Sequence, residues 1–286
     1  MMKRYTLIAL GWIGCCCLQM ALPEVWCADN KPIEKQALVF VITGESNSGG
    51  VGRNSNASPK EMAPRPAVQI MNLTDGKFGF EALQLGVNNL RDHFGLQNRY
   101  EDRHGFENEL ANAVERGGFS GRKQVHLIKT GHGGSMIGQW SEVNASGYWK
   151  KFLQRIEAGK KQVPANAQWV VWFSLGINDA IDKTPIELWE KETRAHIKKI
   201  QATLPGAIVV MTQFQAMGTD KKKGIYPQTD AAIARIAADE KGVYAVDSTG
   251  AKLVDKNHWS YEGLKTVVQR MVKITQQAIL RHPLLD

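Results

Sequence analysis

Continuous apolar runs punctuate the chain at residues 37–43, 125–130, 169–175, 207–214 and 243–246, each drawing on Val, Ile, Phe or Trp. Runs that do not alternate with polar positions suit strands covered on both faces, so they predict a parallel sheet. A helical period takes over at 107–116, 148–161, 185–204 and 227–241. It returns at 261–280, with Leu264, Val267, Val268, Met271, Ile274 and Ile279 on one stripe. This alternation predicts an α/β fold: a three-layer α/β/α domain around a doubly wound parallel sheet of about five strands. The Ser-, Asn- and Pro-rich stretch 54–66 reads as a loop, and 68–73 and 78–85 as short strands around the turn Thr74-Asp75-Gly76.

Composition changes this picture little. With 286 residues, 43% of them hydrophobic and 22% charged, and with 27 Gly against 10 Pro, the chain is neither collagen-like, low-complexity nor disordered. No internal repeat and no second domain is visible, so one domain is expected over 37–286. The charge is more suggestive, since 36 Lys and Arg against 28 Asp and Glu leave +8. Yet the positive residues are scattered and only Lys221-Lys222-Lys223 forms a run, in a loop-like stretch. Without aromatic and basic residues interleaved, no nucleic-acid partner is expected.

The N-terminus has a different logic. Lys3 and Arg4 precede an uncharged apolar stretch through Leu22, Pro23 breaks it, and Val25-Trp26-Cys27-Ala28 offers a cleavage site. Residues 1–28 therefore read as a signal peptide, with an uncleaved anchor as the rival. All four cysteines, Cys15, Cys16, Cys17 and Cys27, lie inside it, so a mature chain would be exported yet free of disulfides. A secreted or periplasmic location is expected, with no stable membrane insertion after cleavage. A lipoprotein anchor is less favoured, because Trp12-Ile13-Gly14-Cys15 comes too early and lacks the usual Leu.

In an open α/β sheet, ligands bind beyond the carboxyl ends of the strands, and four such places carry unusual residues. The first run leads into Gly44-Glu45-Ser46-Asn47-Ser48-Gly49-Gly50, where a Ser at a strand-to-helix turn can expose its Oγ. A plain Gly/Ser turn is the alternative, while phosphate-loop and dinucleotide patterns both fail here. After the second run, Gly131-His132-Gly133-Gly134-Ser135 could present backbone N–H groups or simply turn. Asn178, in Gly176-Ile177-Asn178-Asp179, could donate to an oxyanion or cap a helix. Finally, Asp255-Lys256-Asn257-His258 spaces a carboxylate and an imidazole for a proton relay, or for nothing more than a surface loop.

Taken together and in this order, these four blocks resemble the SGNH/GDSL hydrolase superfamily, whose flavodoxin-like fold agrees with the pattern above. Gly105-Phe106-Glu107, the Ser46-Asn47 pair and Trp140 after Gly133-Gly134-Ser135 look most like its sialate O-acetylesterase and acetylxylan esterase branch. The resemblance implies Ser46 as nucleophile, His258 as base and Asp255 as its orienting partner. It likewise implies an oxyanion hole from the N–H groups of Ser46 and Gly133 and the amide of Asn178. The substrate would be an acetylated carbohydrate; a lipid esterase or thioesterase on the same scaffold is the alternative, followed by a non-catalytic carbohydrate-binding protein. No cofactor is expected, since HExxH and clustered Cys/His spacings are absent and the seven His are scattered.

The chain departs from that branch in two places. Glu45 stands where Gln is usual, and Leu175-Gly176-Ile177-Asn178-Asp179 replaces a Gln-Gly-Glu-x-Asp string. Glu45 is expected to bind a sugar hydroxyl or to cap its own helix start. His132 is expected to pack or to touch substrate. Trp140, Trp149 and Trp259 are expected to be core, with a sugar platform as the alternative.

Overall fold

The computed structural model describes residues 37–89, 102–119, 124–215 and 226–281. The predicted signal peptide and the Lys221-Lys222-Lys223 run lie outside these residues. The strands are β1 (Leu38–Gly44), β2 (Gly52–Arg53), β3 (Arg65–Thr74), β4 (Lys77–Leu83), β5 (Arg103–His104), β6 (Val125–Lys129), β7 (Gln168–Ser174), β8 (Ile208–Thr212) and β9 (Val243–Val246). The helices are α1 (Ser46–Gly49), α2 (Pro59–Met62), α3 (Phe106–Glu115), α4 (Tyr148–Lys160), α5 (Ile177–Ile181), α6 (Ile186–Thr203), α7 (Pro227–Asp239) and α8 (Tyr261–Arg281). Every predicted strand and helix is found, displaced by three residues at most; β3 starts three residues early, and the stretch 54–66 read as a loop also holds the short helix α2.

The sheet is larger than expected. It has seven strands in the order β4-β3-β6-β1-β7-β8-β9, all neighbours parallel except the β3–β4 pair. The two strands predicted around Thr74-Asp75-Gly76 therefore extend the main sheet instead of standing apart, because Val68, Gln69 and Ile70 pair with β6. An antiparallel edge on a parallel sheet is a common arrangement for large α/β folds.

Why the inner runs are continuous is plain from burial. All seven residues of β1 and of β7 are buried. Phe40 meets Phe119 and Trp172 edge to face, at centroid distances of 5.3 and 4.9 Å. Each large apolar side chain so covered contributes about 1.5–3 kcal/mol. On α8 the predicted stripe faces inward: Leu264, Val267, Val268 and Met271 are buried, while Ile274 and Ile279 pack at its margin. Among the described residues, no helix is long and apolar enough to cross a membrane.

The chain leaves central β1 toward β3, returns to β6 beside β1, then crosses to β7 on the other side. Strand order thus reverses around β1, and in open α/β sheets such a reversal marks where ligands bind, here beyond the carboxyl ends of β6, β1 and β7. Three of the four chemically unusual turns follow these three adjacent strands.

Candidate active site

The turn after β1 is set by Gly44. Its φ is +121°, and a Cβ there would fall 2.0 Å from the Ser174 carbonyl oxygen, so no side chain fits. Freed of one, the backbone lets the Glu45 N–H donate to that same oxygen at 2.8 Å. Helix α1 follows at once, with Ser46 as its first residue and only half-buried. Ser48 Oγ donates to the Glu45 carbonyl at 2.7 Å and tightens the turn.

The loop after β9 supplies the partner. Its backbone doubles back, with Val254 N donating to His258 O and Ser260 N to Lys252 O, both at 2.9 Å. At the tip, Asp255 accepts from His258 Nδ1 at 2.8 and 2.9 Å through its two oxygens. A carboxylate that only accepts fixes the ring proton on Nδ1. Nε2 is then the acceptor, and Ser46 Oγ lies 2.9 Å from it. Burial works against the Asp255 charge, but the Asn257 N–H and the His258 ring hold its carboxyl below the usual range.

Asn47 joins the two loops. Its Nδ2 donates to the Asn257 carbonyl at 3.0 Å, and its Oδ1 accepts from Trp259 N at 3.1 Å. Tyr226 adds a second tether, its hydroxyl donating to Asn257 Oδ1 at 2.9 Å. Sequence reasoning assigned no role to either. Asn47 had a signal, since it stands beside Ser46 in the pair already noted; Tyr226 had none.

Asn178 follows Gly176, whose φ of +140° turns the chain out of β7. Its Nδ2 donates to Glu45 Oε2 and, at 3.3 Å, to the Ser135 carbonyl. That carbonyl belongs to the turn holding Gly133, which the His132 N–H ties to Gly44 O at 2.7 Å. Ser46, Gly133 and Asn178 therefore sit on neighbouring turns joined by hydrogen bonds.

Three expectations need correction or a decision. Glu45 does neither of the things expected of it: it is fully buried, away from any sugar, and makes no side-chain cap on α1. Its carboxylate instead accepts from Gly176 N at 2.9 Å, Ile177 N at 2.8 Å, Asn178 N at 3.2 Å and the Asn178 amide, capping α5. Trp140, Trp149 and Trp259 are all buried, so the sugar-platform alternative falls. His132 packs, stacking on Tyr148 at 4.2 Å, and burial lowers its pKa. Among the described residues, no His, Cys, Asp and Glu cluster could hold a metal ion.

The arrangement can pass the Ser46 proton to His258, and the turns that carry Gly133 and Asn178 are tied by hydrogen bonds to the turn that carries the serine. Residues 36–277 match the family described as carbohydrate esterase, sialic acid-specific acetylesterase. The chain belongs to this family. Solved structures similar to this carbohydrate esterase include a protein from Arabidopsis thaliana, 18% identical, with a TM-score of 0.64 over 84% of this chain and 98% of that one. NanS is 11% identical, with a TM-score of 0.63 over 87% and 98%. A carbohydrate acetylesterase from Xanthomonas citri is 14% identical, with a TM-score of 0.57 over 85% and 55%. At these identities the likeness establishes the fold, which is that of the SGNH-type hydrolases the sequence blocks resemble. No curated protein sequence gives a significant match.

Proposed function

We propose that this carbohydrate esterase is a secreted serine hydrolase that removes O-acetyl groups from sugars through an acyl-enzyme. One observation carries the reading: Ser46 Oγ lies 2.9 Å from His258 Nε2 while Asp255 holds Nδ1. Ser46 Oγ attacks the acetyl carbonyl as His258 Nε2 takes its proton. The tetrahedral oxyanion draws on the Ser46 and Gly133 N–H groups and the Asn178 amide, each such donor contributing ~2.7–4 kcal/mol to the transition state. His258 then returns the proton to the departing sugar oxygen, leaving acetyl-Ser46. Water attacks the acyl group with His258 as base again, and acetate leaves. Export rests on the N-terminal sequence.

Acetate release from acetylated xylan, acetylated pectin and O-acetylated sialic acid tests the reading. The wild-type chain is expected to release acetate from at least one, and folded Ser46→Ala from none. Faster hydrolysis of long-chain than of acetyl p-nitrophenyl esters would instead favour a lipid esterase. No hydrolysis of any ester would favour a carbohydrate-binding protein.

A further inference from the structure

The two positions at which the chain departs from the branch it resembles, Glu45 and the 175–179 string, touch each other. Four N–H groups converge on the Glu45 carboxylate, three from backbone and one from the Asn178 side chain. An Asn amide is nearly symmetric in shape, so the shape of its surroundings does not decide which end is oxygen; its hydrogen-bond partners do. Here both partners of Nδ2 are oxygens, the Glu45 carboxylate and, more loosely, the Ser135 carbonyl at 3.3 Å. Turned over, the amide would set Oδ1 against a buried carboxylate that has nothing to donate.

We propose that Glu45 is a positioning residue for the oxyanion hole, its carboxylate enforcing the orientation in which Asn178 presents N–H rather than oxygen. This deepens the esterase reading and rests on it. One Nδ2 hydrogen is committed to Glu45; the other, held only by the long contact to Ser135, is the one free to move onto a developing oxyanion. Glu45 touches no substrate, being fully buried behind Asn178.

The enforcement depends on the carboxylate being ionised, because a protonated acid can face an amide oxygen as well as an amide nitrogen. Burial pushes the Glu45 carboxyl up, the Ile177 and Asn178 N–H groups pull it back, and the nearby Asp179 charge raises it again, to about 8. Tyr226 faces it from the segment before α7, its own pKa raised by burial and by the Glu45 charge. The orientation is therefore held fully only as the pH passes that value.

A double-mutant cycle in the full chain separates positioning from mere structural support. Glu45→Gln keeps the shape but can donate as well as accept, so kcat on an acetyl ester should fall about ten-fold with KM nearly unchanged. In an Asn178→Ala background the same change should cost nothing further, and wild-type kcat should show a rise near pH 8 that Glu45→Gln lacks. Equal losses in both backgrounds, or an effect confined to KM, would overturn the proposal. The Asn178 side-chain amide resonances give a readout independent of turnover: in the wild type they should shift with the Glu45 titration, and in Glu45→Gln they should not. Asn178 amide resonances that are the same in the wild type and in Glu45→Gln at every pH would likewise overturn it, even in a protein that hydrolyses nothing, whereas inactivity with resonances that differ would count against the esterase reading alone.

Discussion

Two carboxylates flank Ser46, and their surroundings give them opposite work. Asp255 stands at the tip of a loop with its side chain 55% exposed, and its carboxyl is held below the usual range. It is charged at any ordinary pH and available to steady the His258 ring. Glu45, next in sequence to the serine, is fully buried, with its carboxyl raised to about 8. It meets no imidazole and instead ties the turn after β1 to the turn after β7. Residue type is nearly the same in the two places; solvent access and the direction of the neighbouring donors separate a charge partner from a clamp.

This contrast can be pushed until it breaks. The largest effect is expected on the open side, where His258→Ala should lower kcat on an acetyl ester by roughly 10⁶-fold, as loss of a triad base does elsewhere. On the clamped side, Asn178→Ala should lower kcat by ~10²–10³-fold with little change in KM; steady-state kinetics would detect an effect confined to KM, which would make Asn178 a binding residue. Asp255→Asn should cost only about 10²-fold, less than the ~10⁴ seen for a buried triad carboxylate, because water can share the work of an exposed one. A loss as large as that of the buried case would mean the loop closes over Asp255 during turnover.

The last effect concerns stability. Between the ordinary carboxyl value of 4.5 and about 8, the folded chain holds a Glu45 proton that the unfolded chain has lost. Stability therefore declines as pH rises through that window, and the decline ends once the folded group ionises. Glu45→Gln lacks this contribution. Whatever its melting temperature at pH 5, it should gain on the wild type as the pH is raised to 8, and the gap should then level off. Parallel melting curves across that range would place the Glu45 titration elsewhere.

Much of the fold was legible because burial writes itself locally. Runs such as 169–175 have no polar interruption, and α8 carries its apolar stripe at helical spacing. The same signal failed to show that β3 and β4 join the main sheet, since which edge a strand pairs with is decided by distant β6. Buried charge was equally hidden: Lys129 ends an apolar run and pairs with Glu107 at 2.8 Å, both fully buried, through a contact no local period announces. At the site, Ser46, Asp255 and His258 could be picked out because each sits after a strand or before the last helix. Glu45 was visible as odd but not as a clamp, because its partners lie on a turn more than a hundred residues away.

The central claim is that Ser46 is activated by His258, and covalent labelling with a fluorophosphonate tests it most directly. The wild-type chain should be modified at Ser46, as read by peptide mass, and folded His258→Ala should react at no more than the background rate of an ordinary serine. Label absent from Ser46 in the wild type, or incorporated equally fast without the imidazole, would contradict the account.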